Sequence, residues 1–379
     1  MVTGLEPRTK IAVSPVQNAS DMNAFIDLPW SIYAGDKNWV PPLKSDVRRL
    51  LDPAQHPFWK HGRRELFLAR RGSQVVGRIA AIVDDNYNRF HEERMGIWGF
   101  FECLDDPEAS AALFTAAENW CRAEGMNYIR GPLNPSTNYE IGMLLEGFDM
   151  PPVVMMTYNP RYYLDLVEGS GHAKEKDLLA FLIDWNSQAS ARVSKLAARI
   201  KRNNNITIRT ADPKRVDREL VVFKKLYDSA LVRNFGFVPM TDAELEDMGK
   251  LMVKIGDPDL IFFVYYNDEP VGLCIILPDV NQLLMRLNGK LGLWGILKAL
   301  WYRKEITGIR GVMFGFLPEY QKIGLPLVAF DYVKEVLKRK QYKTFELGWN
   351  LEDNDPINQF DREIGGKEYK KYRIYRKQL

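Results

Sequence analysis

Apolar and polar positions alternate along the chain in an order of elements that occurs twice. In the first half, period-two runs predict strands in KIAVSPV, ELFLARR, QVVGRIAAIVD, MGIWGFFEC and NYIRGPL. Amphipathic spacing predicts helices over residues 19–33, 41–51 and 108–124. The last of these follows Asp105-Asp106-Pro107, a pattern typical of a helix start.

The second half repeats this order. Strands are predicted in NITIRTADP, LIFFVYY, EPVGLCIILPD, IRGVMFGFLPEY, KTFELGWNLED and YKKYRIYRK, and helices over 216–233, 242–255, 326–340 and 356–364. Turn pairs, Gly72-Ser73 and Asn267-Asp268, occupy matching places in the two copies. We therefore predict a tandem repeat, with domains at 1–165 and 206–379 and a connecting segment at 166–205.

The composition is that of a globular protein of two-domain size. Its 379 residues are 46% hydrophobic and 27% charged, and the formal net charge is +3. A charge so close to neutral gives no electrostatic reason to expect a nucleic-acid partner. The three cysteines form no CxxC pair and the four histidines no HExxH-like spacing. We predict no metal and a reducing, cytoplasmic location.

One strand–loop–helix junction, VMFGFLPEYQKIGLP at residues 312–326, is the segment most typical of a binding site. A helix start leaves backbone N–H groups unpaired and carries the positive end of the helix dipole. Gly324 lets an anion approach the backbone closely. The apolar strand before it offers an edge along which an extended pantetheine arm can pair. The junction therefore favours a ligand that contains pyrophosphate.

The elements around Gln321-Lys322-Ile323-Gly324 resemble the GNAT acyltransferase superfamily, whose pyrophosphate loop reads Q/R-x-x-G-x-G/A. The resemblance covers residues 206–379 well and the N-terminal copy weakly. It implies an α/β (α+β) fold of tandem GNAT-like domains, each a mixed, mostly antiparallel sheet flanked by helices. It also implies acyl-CoA or acetyl-CoA as donor substrate. The residues implied to bind this cofactor are Phe316, Leu317, Gln321, Lys322, Ile323, Gly324 and Leu325, with a backbone N–H of Phe316 or Leu317 stabilising the oxyanion.

Three residues depart from the superfamily pattern. Pro326 replaces the last small residue of the loop and lacks an N–H, although proline is favourable in a first helical turn. Phe360 and Asp361 stand where many relatives carry a tyrosine that protonates the leaving thiolate. Gly366 stands where phenylalanine is usual. The resemblance therefore supports cofactor binding better than it supports an acid for the reaction.

The N-terminal copy departs further. After GFFEC it reads LDDPEASAALF, where Asp105, Asp106 and Glu108 place negative charge at the position that phosphate would take. We interpret this copy as a domain that has lost cofactor binding and shapes the substrate cleft. The whole chain, including GPLNPSTNYEIGMLLEGFD, MTYNPRYY and LPDVNQ, also resembles a poorly characterised bacterial family. Some of its members are linked to N-acylation of long-chain amines in sphingolipid synthesis, which implies a lipid amine acceptor.

Acyl transfer from a thioester to an amine needs a base for the amine, a donor to the oxyanion and an acid for the thiolate. No Ser-His-Asp or Cys-His pattern is apparent, so we predict direct attack by the amine. The candidate catalytic residues are Glu319, Asp279, Glu352 and Asn354. Their structural alternatives are loop packing for Glu319, a plain turn for Asp279, and a helix cap for Asn354.

The predicted substrate-binding residues are polar groups among apolar neighbours in the irregular central loop and after LPD. They are Asn138, Tyr139, Glu140, Tyr158 and Asn281. Glu140 is also a candidate base. The alternative role of the loop residues is to satisfy buried loop backbone.

The segment LGLWGILKALWY, residues 291–302, is predicted to be a helix with one apolar face. It is too short to span a bilayer, and the N-terminus lacks an apolar signal-peptide region. Two interpretations stay open: internal packing, or peripheral contact with the inner face of a membrane or an acyl chain.

Three functions remain open on the sequence. The first is an acyl-CoA-dependent N-acyltransferase acting on a small-molecule or lipid amine. The second is a catalytically silent tandem-GNAT scaffold that binds a lipid or a partner protein. The third is an aminoacyl-tRNA-dependent peptidyltransferase, which would need a pronounced basic face that the net charge does not favour.

Overall fold

The computed structural model describes residues 9–184, 190–203, 205–232, 234–292, 295 and 301–379, and describes the backbone alone for residues 190–192, 203 and 321. The chain divides into two compact units. The N-terminal unit contains the described residues up to Pro151, Thr157–Lys176 and Tyr372–Leu379, and the C-terminal unit contains Pro152–Met156 and Asp177–Lys371. The predicted domains 1–165 and 206–379 stay predictions of independently folding parts.

The N-terminal unit is built on a sheet in the order β1-β2-β3-β4-β5, antiparallel except for the parallel pair β4–β5. Its strands are β1 (Ile11–Pro15), β2 (Gly62–Arg71), β3 (Gln74–Asp84), β4 (Met95–Cys103), β5 (Tyr128–Gly131), β6 (Leu133–Asn134), β7 (Glu140–Ile141) and β8 (Met143–Glu146). Its helices are α1 (Ala19–Ile32), α2 (Lys44–Leu51), α3 (Asp85–His91), α4 (Pro107–Ala123) and α5 (Tyr163–Gly169). The core forms where Leu113, Phe114 and Ala117 of α4 join the buried side chains of β2 and β4.

The C-terminal unit has a sheet in the order β9-β14-β13-β12-β11-β10, antiparallel except for the parallel pair β13–β14. Its strands are β9 (Ala173–Asp184), β10 (Ile206–Thr210), β11 (Ile261–Tyr266), β12 (Glu269–Pro278), β13 (Gly308–Phe316), β14 (Thr344–Leu351) and β15 (Lys367–Gln378). Its helices are α6 (Ser190–Asn203), α7 (Val216–Ala230), α8 (Asp242–Ile255), α9 (Asn281–Leu287), α10 (Leu325–Lys340) and α11 (Asp355–Glu363). Strands β9 and β15 contribute residues to both units.

The two faces of the C-terminal sheet carry different helices. Alternate residues of a strand point to opposite faces, and the buried side chains separate accordingly. Phe262, Cys274 and Ile276 share a core with α10. Phe263 and Ile275, in contrast, share a core with α7 and α8. The sheet is therefore apolar on both sides.

Local signals in the sequence account for several element ends. Helix α8 begins with a reciprocal capping box, in which Thr241 and Glu244 each accept the other's backbone N–H. The turn between β11 and β12 places Asn267 and Asp268 at positive φ, as a two-residue hairpin of this type requires. Helix α4 begins at Asp106, whose side chain accepts the N–H of Ala109.

The segment 166–205 was predicted only as a connection, and the structure places regular elements in it. It contains most of α5, the twelve-residue strand β9 and helix α6. The apolar half of β9, Asp177–Asp184 with the sequence DLLAFLID, is almost wholly buried. A strand buried on both faces loses the alternation that identifies strands in a sequence.

Candidate active site

A cleft opens between two parallel strands of the C-terminal unit. Strand β13 pairs with β14 only from Gly308 opposite Thr344 to Gly311 opposite Leu347. Beyond these four pairs the strands continue without pairing to each other, and both become half-buried, at residues 312–314 and 349–351. The strands have therefore separated, and the cleft widens toward their carboxyl ends. We call the last paired residues the apex of this cleft.

The edge of β13 that faces the cleft carries backbone groups. On its other side β13 pairs with β12, with a bulge at Val312, since Ile275 lies opposite Met313 and Ile276 opposite Gly311. The N–H of Leu317 donates to the carbonyl of Val271 at 2.9 Å. Because an antiparallel ladder uses alternate residues, the backbone of Phe314 points to the cleft. The Leu317 amide, one of the two predicted oxyanion donors, already belongs to the sheet, and the other, the Phe316 amide, stays a prediction.

The start of α10 lies at the open end of the cleft. Gly324 is its N-cap, in the left-handed region with φ of 83°. The N–H groups of Leu327 and Val328 both donate to the Gly324 carbonyl, at 3.1 and 3.4 Å. Pro326 has no N–H, so Gly324 and Leu325 supply the amides that lie outside the ladder of the helix. This helix start presents one N–H group fewer than a helix start without proline.

An apolar side chain covers part of this helix start. The Cδ1 atom of Ile200, on α6, lies 2.6 Å from the position that a Cβ on Gly324 would take. Helix α6 is held against α10 by buried Val193 and Ala197 and by Ser194, which hydrogen-bonds Asp331. The sequence predicts that glycine stands at position 324 because it lets an anion approach the backbone closely. In the structure, the positive φ and the contact with Ile200 already require glycine.

The remaining residues of the predicted loop lie in different environments. Lys322 is exposed, Ile323 packs against the core, and the side chain of Leu325 is fully buried. Phe316 is buried in the same core, and the side chain of Gln321 lies outside the described part of the structure. Contact between a cofactor and Leu325 would therefore use the backbone.

A buried pair of opposite charges, which is not among the residues predicted from the sequence, occupies the apex. Arg310 of β13 and Glu346 of β14 lie opposite each other in the parallel register, and both are almost fully buried. Because Ile309 and Phe345 face α10, Arg310 and Glu346 face the side of α7 and α8. Opposite charges inside two apolar strand segments, GIRGVMF and TFELGW, were the available signal.

Asp279, a predicted base, is buried at the end of β12 and serves the backbone. Its Oδ1 accepts the N–H of Val154 at 2.9 Å and that of Asn281 at 3.3 Å. Burial raises the pKa of Asp279 to about 6. Asn281 donates from its side chain to the Pro152 carbonyl. The structure thus brings these two predicted residues together around residues 152–154.

The repeat suggests a structural role for Asp279. Asp84 is the last residue of β3 in the N-terminal unit, a position that matches Asp279 directly after β12. Asp84 likewise accepts N–H groups at the start of the next short helix, α3. A carboxylate in this position satisfies helix-start amides in both copies.

The other predicted catalytic residues do not meet at the apex. Glu319 is exposed in the turn between β13 and α10. Glu352 accepts the N–H of Asp177 through its carboxylate at 3.0 Å, which ties the end of β14 to β9. Asn354 is the N-cap residue of α11, but its side chain makes no capping bond. Their catalytic roles stay predictions.

Asp361 of α11 is a second buried acid near the opened part of β14. It is 3% exposed, and its carboxylate accepts a hydrogen bond of 2.7 Å from the Asn350 side chain. Burial raises the pKa of Asp361 to about 7, which the Asn350 bond opposes. This carboxyl is therefore poised between its two protonation states near neutral pH.

The predicted substrate residues of the central loop belong to the N-terminal unit. Tyr139 packs against the rings of His56 and Phe58, and Tyr158 donates its hydroxyl to Asp36 at 2.9 Å. The backbone N–H of Asn138 donates to the Ser136 hydroxyl within the loop. Exposed Glu140 pairs with Asn134 in the β6–β7 ladder. These residues organise the loop, and their contact with a substrate stays a prediction.

The equivalent cleft of the N-terminal unit is closed by its own chain. Strands β4 and β5 pair over three residues, and β6 then returns against β4. The side chain of Asn134 accepts the Phe100 N–H at 2.7 Å, and a Cβ on Gly99 would lie 2.0 Å from the Leu133 carbonyl oxygen. Strand β4 accordingly stays buried almost throughout. The edge of β4 beyond its pairs with β5 is therefore occupied by residues 133 and 134.

Comparison with solved structures gives the class of fold. The tandem GNAT protein from the clavulanic acid biosynthesis pathway superposes with a TM-score of 0.55 at 11% identity, covering 97% of this chain and 98% of that one. A GCN5-related N-acetyltransferase from Sphaerobacter thermophilus gives a TM-score of 0.54 at 13% identity, covering 97% and 95%. The protein therefore has the predicted tandem GNAT fold.

Comparison of sequences gives the family. The chain is 34% identical to the bacterial ceramide synthase of Caulobacter vibrioides, covering 97% of this chain and 98% of that protein. It is 33% identical to protein YghO of Escherichia coli, covering 96% and 94%. No family model matches the chain. The protein belongs to the family of these two relatives, and the comparisons together support an acyltransferase.

The described residues contain no candidate membrane span and no candidate metal cluster. No helix in this part of the chain is long and apolar enough to cross a membrane. Among the same residues, no group of three or more His, Cys, Asp or Glu side chains is arranged to hold a metal ion.

Proposed function

We propose that the C-terminal unit binds an acyl-CoA between β13 and β14 and transfers its acyl group to an amine. One observation carries the proposal: two parallel strands separate after four paired residues, and a helix starts at the open end of the cleft. From Gly311 to Phe316 the strand spans roughly 17 Å, a length suited to an extended pantetheine arm. The thioester would then lie near the apex.

Charge at the mouth of the cleft supports a phosphate ligand. Gly324 and Leu325 lie at the start of α10, which is the positive end of its dipole. Arg199 and Lys201, the neighbours of Ile200, are exposed within a turn of the contact with Gly324, and Lys322 is exposed on the loop itself. The diphosphate of CoA would meet both hydrogen-bond donors and cations there.

The contrast between the two units supports a single donor site. In the N-terminal unit, Asn134 and Leu133 fill the cleft that stays open in the C-terminal unit. The loop before α4 carries Asp106, whose carboxylate already binds Arg71 and the start of that helix. This arrangement supports the interpretation that the first copy has lost cofactor binding.

The acceptor we propose is a long-chain, sphingoid-like amine. A ceramide is a long-chain amino alcohol acylated on nitrogen, so the name of the Caulobacter vibrioides relative supports this substrate. Most of segment 291–302 lies outside the described residues, but Leu291 is 39% exposed and Trp301 is 74% exposed. Exposed tryptophan suits a membrane interface. A peripheral site at the inner face of the membrane would give access to a lipid amine.

A second function, the catalytically silent scaffold, is favoured by two observations at the helix start. Ile200 occupies space over Gly324, and Pro326 removes an amide. A scaffold would retain the fold and bind a lipid without turnover. Binding and turnover must therefore be measured separately.

The test combines thermal melts with calorimetry on the full chain. Acetyl-CoA, palmitoyl-CoA and free CoA are compared, each at ~100 times its dissociation constant, where a specific ligand stabilises by about 2.7 kcal/mol. We expect one site per chain and a larger shift with palmitoyl-CoA than with acetyl-CoA. Release of free thiol on adding sphinganine then distinguishes an enzyme from a scaffold. No shift with any of the three ligands would remove the proposed function.

A further inference from the structure

The pair at the apex is not an ordinary buried salt bridge. The Nε of Arg310 lies 3.9 Å from the Oε1 of Glu346, which is too long for a hydrogen bond. Instead, the Arg310 guanidinium donates to two backbone carbonyls, those of Val154 at 2.8 Å and Gly348 at 3.1 Å. Arg310 is therefore fixed by the backbone, and Glu346 does not depend on it for a hydrogen bond.

The two carboxylate oxygens of Glu346 have different environments. Oε2 accepts the hydroxyl hydrogen of Tyr369 at 3.0 Å. Oε1 is shielded from solvent and has no hydrogen-bond partner among the described residues, and the same holds for Arg310 Nε. A buried acceptor without a partner costs free energy, so its presence calls for an explanation.

The unpartnered oxygen lies beside the residue at which the cleft begins. Oε1 lies 3.3 Å from the position that a Cβ on Gly348 would take. Gly348 is the last buried residue of β14, directly after the final pair between Gly311 and Leu347. A larger side chain at 348 would meet both this oxygen and Ala180. Glycine at 348 thus keeps the space beside Oε1 free, at the residue where β14 leaves β13.

The groups around Glu346 place the pKa of its carboxyl near neutral pH. The charged and titratable side chains acting on it are Arg310 on β13, Asp279 at the end of β12, and Tyr369 and Lys370 on β15. Burial raises the pKa of Glu346 to about 7, while Arg310 and the Tyr369 hydrogen bond oppose the rise. A base with a pKa near the working pH transfers protons most effectively.

We propose that Glu346 accepts the proton from the acceptor amine during acyl transfer, an inference that rests on the proposed function. The amine nitrogen forms a bond to the thioester carbonyl carbon, and the carbonyl electron pair moves to oxygen. Oε1 of Glu346 takes the proton that the nitrogen loses. The oxyanion electron pair then re-forms the carbonyl, the carbon–sulfur bond breaks, the CoA thiolate takes up a proton from solvent, and Glu346 returns its proton to solvent. Arg310 is a positioning residue that keeps the backbone of residues 154 and 348 in place around the carboxylate.

The experiment compares wild-type protein with Glu346→Gln in thiol release from palmitoyl-CoA with sphinganine as acceptor. After correction for the fraction of sphinganine present as free amine, the wild-type kcat/KM should rise about tenfold per pH unit up to about pH 7 and then level off. The variant should lose about 100-fold or more in kcat and lose that pH-dependent limb. Glutamine can still accept the Tyr369 hydrogen bond, so the midpoint of thermal unfolding should not fall.

Glu102→Gln is the matched control. Glu102 is a partly buried glutamate beside an arginine, Arg78, and accepts two tyrosine hydroxyls, but it belongs to the N-terminal unit. Its variant should keep the wild-type rate and pH profile. If Glu346→Gln binds palmitoyl-CoA and keeps its rate within about threefold, or retains the pH-dependent limb, the inference is overturned. If wild-type protein binds no acyl-CoA, the proposed function fails instead.

Discussion

Ile200 of α6 and Gly324 at the start of α10 are in van der Waals contact, with the isoleucine Cδ1 in the space that a Cβ on residue 324 would need. Gly324→Ala should therefore be destabilising through a left-handed φ and through the clash, by about 1–3 kcal/mol. Urea unfolding of Gly324→Ala, Ile200→Ala and the double variant measures the two contributions. The double variant should lose less free energy of unfolding than the sum of the losses in the two single variants. Strict additivity would mean that the contact is absent in solution.

Charge at position 200 provides a cleaner test of the diphosphate site than any change of Gly324. Ile200→Asp and Ile200→Asn have similar size and remove the same apolar contact, so they differ mainly by one negative charge. We expect the aspartate variant to bind CoA at least about tenfold more weakly than the asparagine variant at low salt. Calorimetry across salt concentrations checks this, since screening should reduce the difference. Equal affinities would place the diphosphate elsewhere.

Asp361 should make stability depend on pH. Its pKa is raised in the folded protein, from 3.8 to about 7, so the folded state binds the proton more tightly than the unfolded state. The stabilisation is full below about pH 4 and is lost as the pH rises through about 7. Asp361→Asn removes this loss and should raise the free energy of unfolding at pH 8 by about 1–4 kcal/mol. Urea titrations at several pH values measure it, and a pH-independent difference would contradict the expectation.

Asp279 should prove more important for stability than for catalysis. Asp279→Ala leaves the buried amide of Val154 without its acceptor, which costs about 1–3 kcal/mol. Asp279→Asn keeps an oxygen that can accept this bond and should be milder. Thermal unfolding gives the order of the two variants, and the rate of the asparagine variant tests the role of base. A loss of rate like that of Glu346→Gln would return Asp279 to the list of proton acceptors.

At the cleft of the C-terminal unit, the sequence predicts local features but not the contacts between distant segments. The predicted loop at 312–326 lies where the structure places the start of α10, because a strand, a turn and a helix start are local features. The environment of that helix start was not predictable, since Ile200 comes from a distant helix. The hydrogen bond of the Leu317 amide was not predictable for a similar reason, because its acceptor, the Val271 carbonyl, lies on another strand.

The sequence by itself determined the order of elements, their repetition, the helix that begins at Asp242 and the hairpin turn at Asn267-Asp268, because each depends on neighbours within a few residues. Only the tertiary structure decided which strands separate, that Asn134 closes the first cleft, and that Glu346 meets Arg310 at the apex of the second. Strand register and side-chain burial depend on contacts between segments far apart in the chain, and these contacts leave no periodic trace in the sequence.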